Sequence, residues 1–129
     1  MKPEVKYWVA LGEEDLASAR TLLRGEHYLN TLHHCHQALQ KMLKALIQRG
    51  QVDPPPRTHD LLALAARARV WDSLPRESRD LLISVNPYGT QARYPASLEE
   101  PVKSVGQDLA EDALSRTGEV LAWLRQRLK

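Results

Sequence analysis

The chain has 129 residues, of which 43% are hydrophobic and 26% are charged, so its composition is that of one globular domain. Eighteen Lys and Arg against sixteen Asp and Glu give a net charge of +2, which argues against binding nucleic acid by bulk charge alone. The single cysteine, Cys35, cannot form an internal disulfide, and no apolar run approaches the roughly 20 residues that cross a bilayer. We therefore expect one cytoplasmic domain over residues 1–129, without a membrane span.

Apolar residues recur at helical spacing in two long segments at the start of the chain. The first segment spans about residues 4–24 and is followed by Gly25, a residue typical of helix C-termini. The second spans about residues 27–49, and its apolar stripe includes Leu39 and Leu43, which we expect in the core. The connection between the segments is short, which predicts that the two helices are antiparallel.

Proline residues divide the middle of the chain. Three consecutive prolines at 54–56 predict a stiff connector that does not continue a helix. Thr58 is the predicted N-cap of a third helix that covers about residues 61–68. A short fourth helix is predicted after Pro75, and Asn86 is expected to end it together with the proline that follows.

The last third of the chain is predicted to be a loop followed by a long helix. Residues 86–97 contain Pro, Gly, Asn and Ser and show no helical stripe, which is typical of a loop. The final helix is expected to begin near Ser97 or Pro101 and to include Val102 and Val105. Because no strand-like alternation is found, the sequence predicts an all-α, up-and-down bundle of four to five helices.

A cluster of histidines in the second helix is the most conspicuous candidate for metal binding. His33 and His36 are the only two of its members at a spacing that shares one helical face; His34 and Cys35 point elsewhere. We therefore expect no metal site and no cofactor. The simpler interpretation is that Cys35 is buried and that His36 lies at the edge of the apolar stripe with a hydrogen-bond partner.

Two polar features remain. Gln37, Lys41 and Lys44 share one face of the second helix, which is either solvated or forms the wall of a groove where Lys41 meets an anion. Arg93 and Tyr94 lie in the predicted loop, where Arg93 could bind phosphate while Tyr94 stacks on a base. Alternatively, Arg93 caps a helix or pairs with an acid such as Asp60.

Several stretches, in their order and spacing, resemble the HEPN domain family over nearly the whole chain. They are EEDLASARTLL, HHCHQALQKMLKALI, PPPRTHDLLAL, ARYPAS and AWLRQRL. The resemblance implies an α-helical bundle that commonly forms a homodimer and often works beside a minimal nucleotidyltransferase in a two-component or toxin–antitoxin system.

Many HEPN proteins are metal-independent ribonucleases that use an Arg followed a few residues later by a His. Arg93 falls in the matching region here, but no His follows His59 in the sequence. Arg is too basic to act as a proton acceptor, and His is the usual group for this role. The sequence therefore favours a protein that is not an enzyme. One alternative is a ribonuclease toxin in which Arg93 acts with His59 or Tyr94. Another is a structural homodimeric interaction module.

The resulting hypothesis is a non-catalytic accessory subunit that binds a nucleotide or an RNA phosphate, with a homodimeric state and a nucleotidyltransferase partner. The matched motif positions and the loop argument together give its candidate site residues. They are Gln37, Lys41, His59, Asp60, Arg93 and Tyr94.

Overall fold

The computed structural model describes residues 1–89 and 105–129, which form five α-helices and no strand. The helices are α1 (Pro3–Arg24), α2 (Tyr28–Arg49), α3 (Leu61–Arg67), α4 (Arg76–Val85) and α5 (Gln107–Gln126). Short 3-10 turns lie at Trp71–Ser73 and Asn86–Gly89. The all-α prediction is confirmed. The predictions for Arg93, Tyr94 and Val102 lie outside the described residues, as does the predicted start of the last helix near Ser97 or Pro101.

The first two helices are antiparallel, as their short connection predicts. Lys2, just before α1, donates from Nζ to the carbonyl of Gln51, just after α2, at 3.1 Å. The helices approach closely at Gly12, where a Cβ atom would lie 3.2 Å from the carbonyl oxygen of Ala38. A larger residue at this position would therefore push α1 away from α2.

The core surrounds α2, which packs against the four other helices. Leu39 and Leu43 are fully buried, which confirms their predicted core position. The helices α3, α4 and α5 each contribute at least one fully buried leucine to the same cluster: Leu61, Leu64, Leu82 and Leu124. In the two described ranges, no helix combines the length and the apolar character needed to span a bilayer.

The predicted N-cap of the third helix is wrong by two residues. Asp60 is the N-cap of α3, and its Oδ1 accepts the N–H of Leu62 at 3.0 Å. The Thr58 hydroxyl instead accepts the N–H of Asp60 at 3.2 Å, too early in the chain to cap the helix. Both residue types cap helices well, so the sequence alone did not distinguish them.

The start of the last helix also differs from the prediction at Val105. This residue is buried but precedes α5, which begins at Gln107. Gly106 is the N-cap, with an extended backbone (φ −114°, ψ −178°), and glycine is a poor residue for a helix interior. Apolar periodicity alone did not reveal this interruption, because Val105 is buried although it lies outside the helix.

Two described residues other than glycine have a left-handed backbone conformation: Glu26 (φ 64°) after α1 and Arg69 (φ 60°) after α3. In both places the following residue donates its N–H to a carbonyl five residues earlier, which closes the helix end. Glycine adopts this conformation at a cost lower by about 1 kcal/mol. The chain nevertheless carries charged side chains at both positions.

Candidate functional site

A row of buried polar side chains on α2 holds the proline-containing connector that joins α2 to α3. Near the end of α2, the side-chain amide of Gln48 contacts three successive connector carbonyls, those of Gln51, Val52 and Asp53, at 3.1, 3.2 and 3.0 Å. Because prolines have no N–H, this connector has an excess of acceptors. The side-chain amide of Gln48 supplies N–H donors from α2 to some of these unpaired carbonyls.

The same row continues toward the middle of α2 through Gln40 and His36. Gln40 donates from Nε2 to the carbonyl of Thr58 at 3.4 Å, and its Oε1 lies 3.5 Å from Nδ1 of His59. His36 donates from Nε2 to the carbonyl of His59 at 2.8 Å. The backbone of His59 is therefore hydrogen-bonded to α2, and this bond positions the exposed imidazole of His59.

His36 is a neutral structural residue. Its side chain is fully buried, and burial lowers its pKa from 6.5 to about 4 despite the hydrogen bond to the His59 carbonyl. Because a carbonyl only accepts, Nε2 carries the proton and Nδ1 does not. A Cβ atom at Gly89 would overlap the His36 ring, so only glycine fits here. The prediction that His36 is a residue with a hydrogen-bond partner is confirmed.

The 3-10 turn Asn86–Gly89 precedes residues 90–104 in the chain. It is hydrogen-bonded to α2 and to the start of α3. The carbonyl of Tyr88 accepts from Nδ1 of His33 at 2.9 Å. Asn86 accepts the N–H of Leu61 at 2.9 Å and donates from Nδ2 to Oδ1 of Asp60 at 3.1 Å. These bonds place the beginning of the turn beside the start of α3 and its end beside α2.

Two of the predicted site residues, Gln37 and Lys41, lie where α2 faces α1. Lys41 donates from Nζ to Oδ2 of Asp15 at 2.8 Å and to Oε1 of Gln37 at 3.5 Å. The other oxygen of Asp15 contacts Nδ1 of His34 at 3.0 Å. Sequence reasoning missed Asp15 and His34, because the pairing depends on the register of α1 against α2, for which the sequence carries no signal.

Lys44 extends the positive charge of this face by one turn beyond Lys41. Its side chain is 7% exposed, and its Nζ lies 5.4 Å from the centre of the Trp8 ring. Burial, and then repulsion from Lys41, lower the pKa of Lys44. Its shared face with Gln37 and Lys41 was evident from helical spacing, but its contact with Trp8 was not.

The described site residues therefore form two groups. Gln37 and Lys41 are joined to each other and to α1, whereas His59 and Asp60 lie at the start of α3. Among residues 1–89 and 105–129, no direct hydrogen bond connects the two groups. Arg93 and Tyr94 lie outside the described residues.

The described part of the chain holds no group of three or more His, Cys, Asp or Glu side chains that could hold a metal ion. Cys35 is buried, as predicted, and burial raises the pKa of its thiol to about 11. The thiol is therefore protonated near neutral pH and is not a reactive nucleophile.

The arrangement of a long antiparallel helix pair covered by shorter helices matches a known class of helical-bundle domain. Residues 5–127 match the profile of the HEPN domain, and the chain belongs to the HEPN domain family. No curated protein matches the chain.

Solved structures with a similar fold include two that the chain matches over nearly their whole length. The protein TT1696 from Thermus thermophilus has a TM-score of 0.82 at 22% sequence identity, over 97% of this chain and 98% of that one. ST0689, an archaeal HEPN homologue, has a TM-score of 0.78 at 23% identity, over 100% of both chains. At these identities, the similarities show a common fold.

Proposed function

We propose that this HEPN protein is a non-catalytic accessory subunit that binds a nucleotide or an RNA phosphate. The ligand would contact His59 and Asp60 at the start of α3, together with Arg93 and Tyr94. Gln37 and Lys41 would form a further polar wall on α2. An imidazole and a guanidinium are both suited to the recognition of phosphate oxygens.

The observation that carries this proposal is the attachment of the Asn86–Gly89 turn. Gly89 packs on the ring of His36, and His36 in turn donates to the carbonyl of His59. Arg93 follows Gly89 by four residues, and four residues of chain reach at most about 14 Å. This length of chain permits Arg93 to approach the His59 side chain, as the proposal requires.

The burial of His36 favours binding over cleavage, because it removes one α2 histidine as a proton donor or acceptor. With a pKa of about 4, His36 is neutral near pH 7, and its Nε2 proton is held by the His59 carbonyl. Cleavage of RNA through its 2′-OH needs a group that exchanges protons near neutral pH. The side chain of His36 is fully buried and does not reach a substrate.

Lys41 keeps capacity for an anion although Asp15 is its ion-pair partner. An ammonium group has three N–H donors, of which Asp15 and Gln37 accept two. The remaining donor and the neighbouring charge of Lys44 leave this face positive. Lys41 would therefore strengthen the binding of a ligand that extends from His59 along α2.

Calorimetric titration with ATP, GTP and a short single-stranded RNA tests the proposal. We expect at least one of these probes to bind, and Arg93→Ala and His59→Ala each to weaken that binding by about tenfold or more. Arg20→Ala, on the exposed side of α1, is the matched control and should have no effect. Equal affinities in all variants, or no binding of any probe by the parent protein, would contradict the proposal.

The exposed ring of His59 also favours a second candidate function, a metal-independent ribonuclease in which Arg93 acts with His59 or Tyr94. This function predicts that RNA is cleaved in the presence of a metal chelator. Arg93→Ala should abolish the cleavage, and His59→Gln should reduce it by about a hundredfold or more. Intact cleavage in the Arg93→Ala protein would assign the activity elsewhere.

We further propose that the protein forms a homodimer through α4 and α5. These helices pack against each other, and each exposes a large apolar side chain: Ile83 is 51% and Leu109 is 43% exposed. Light scattering should give a dimer that Leu109→Asp converts to a monomer, whereas Val52→Asp in the exposed connector should not. A monomeric parent protein would contradict this proposal and the structural homodimeric module alike.

The nucleotidyltransferase partner is proposed from membership of the family. Its test is co-expression with a small nucleotidyltransferase encoded beside this chain, followed by purification of the pair. We expect the two proteins to purify together at a fixed ratio. A gene without such a neighbour, or a neighbour that does not co-purify, would contradict the partnership.

A further inference from the structure

A basic cleft lies at the end of the bundle where α2 and α3 both terminate. Its volume is about 440 Å³, and Leu46 and Ile47 contribute apolar surface to it. Arg49, Arg67 and Arg69 line the same cleft. No carboxylate is among the described residues that line it. Three guanidinium groups thus share one concave surface in a chain whose net charge is only +2.

The three guanidinium groups keep most of their hydrogen-bonding capacity. Arg49 donates to the main-chain carbonyl of Arg127, and Arg67 donates to Oε1 of Gln51 at 3.5 Å. The guanidinium of Arg69 makes no hydrogen bond or ion pair with any residue of the two described ranges, and only its main-chain N–H is bonded, to the carbonyl of Ala66. A guanidinium has five N–H donors, so each of the three can still bind an anion through two parallel hydrogen bonds.

Helix electrostatics accounts for two of these arginines but not for the third. Arg49 and Arg67 lie in the last turns of α2 and α3, where a cation stabilises the negative end of the helix dipole. Arg69 lies beyond α3 in the left-handed conformation that glycine adopts more readily. The hydrogen bond from the Val70 N–H to the Ala65 carbonyl accounts for this backbone conformation as a helix end, but not for an arginine where glycine is more favourable.

We propose that this cleft binds a compact phosphate-bearing anion, with Arg69 as a principal contact. Guanidinium groups match the geometry of phosphate oxygens and are the preferred partners for such groups in proteins. The volume lies within the range of small-ligand sites, and the apolar surface from α2 can accept the less polar part of a ligand.

The cleft is separate from the site of the proposed function. Arg49 lies about 20 Å along α2 from His36, at 1.5 Å per residue. The inference therefore does not depend on the ligand proposed for His59 and Arg93. Arg93→Ala should leave binding at the cleft unchanged.

Calorimetric titrations with inorganic tripolyphosphate, ATP and a short single-stranded RNA test the cleft. Arg69→Gly removes the guanidinium and relieves the left-handed backbone, so this variant should bind about tenfold or more weakly without a loss of thermal stability. Glu26→Gly is the matched control, since it relieves the same conformation at the opposite end of α2. It should keep the parent affinity.

A comparison of the three probes shows whether the cleft recognises phosphate alone or a larger ligand that carries it. Binding of tripolyphosphate that Arg69→Gly weakens assigns recognition to phosphate alone, and binding confined to ATP or RNA assigns it to that ligand. Arg67→Gln should also lower the affinity for the probe. This variant replaces Arg69→Gly in the test if Arg69→Gly does not fold. Equal affinities for Arg69→Gly and Glu26→Gly would overturn the inference. No binding of any of the three probes, or a loss seen with Arg93→Ala alone, would overturn it as well.

Discussion

The apolar and polar faces of α2 are both buried, but different partners cover them. Leu39 and Leu43 belong to the hydrophobic core that all five described helices share. Gln40 and Gln48 are buried as well, yet they bind main-chain carbonyls of the connector. The apolar face is stabilised by removal of surface from water, whereas the polar face is stable only while each buried group has a hydrogen-bond partner.

This difference separates what holds the bundle together from what positions its candidate site. The apolar face brings the helices together and tolerates side chains of similar volume. The polar face fixes one particular course of the connector, and with it the position of His59. Substitutions on the two faces should therefore affect global stability and local order to different degrees.

The largest effect is expected from Leu43→Ala on the apolar face. Leu43 is fully buried, and the substitution leaves a cavity in the core. Chemical denaturation should show a loss of about 2 to 5 kcal/mol in the free energy of unfolding. Ile83→Ala, at a half-exposed position, is the control and should cost less than about 1 kcal/mol. A cost near zero for Leu43→Ala would contradict its assignment to the core.

Acidification should destabilise the polar face through His36, whose pKa in the folded protein is about 4. Below pH 6.5 the unfolded chain binds a proton at this residue and the folded chain does not, so stability falls as the pH decreases from 6.5 toward 4. The full contribution is about 3 kcal/mol.

The pH effect is measured by comparing the parent protein with His36→Gln, which keeps a donor for the His59 carbonyl but does not titrate. The free energy of unfolding of the parent should fall more steeply between pH 6.5 and 4. Parallel curves for the two proteins would show that His36 titrates normally in the folded state.

Gln48→Leu should disturb the connector more than the core. The substitution removes the donor that contacts the carbonyls of Gln51, Val52 and Asp53, at a cost of about 1 to 3 kcal/mol. Hydrogen exchange at the amides of these three residues should accelerate more than exchange in α2. Gln126→Leu, at an exposed position in α5, is the control. Uniform acceleration across the chain would contradict a local role.

The smallest effect is expected from Lys41→Ala. The Lys41–Asp15 pair is about one-fifth exposed, and Asp15 keeps its contact with His34. The loss in the free energy of unfolding should be below about 1 kcal/mol. Lys6→Ala on the exposed face of α1 is the control. If the proposed site is correct, Lys41→Ala should also weaken the binding of ATP or RNA.

The sequence was sufficient to predict the helices, because their apolar stripes repeat at a fixed interval. The observed bounds of α1 and α2 agree closely with the predicted segments of about 4–24 and 27–49. Prolines and glycines marked most of the helix ends. The exceptions were Thr58, where two good capping residues lie close together, and Val105, where burial continues across a break in the helix.

The arrangement of the candidate site was less predictable, because it depends on contacts between distant segments. The partner of Lys41 is Asp15, 26 residues away, and nothing in either helix alone specifies that register. The role of Gln48 could not be predicted either, since its partners are main-chain carbonyls, which every residue has. The special position of Arg69 could not be predicted either, because the sequence reveals neither its left-handed backbone nor its place in the cleft.

The proline-containing connector has a further consequence for the behaviour of the protein at high concentration. An extended surface segment ordinarily exposes N–H and C=O groups to which a strand of another molecule can add. At residues 54–56 the prolines have no N–H group, and side chains of α2 bind carbonyls on either side of them. The segment is therefore a poor template for intermolecular β-sheet, although Val52 beside it is almost fully exposed.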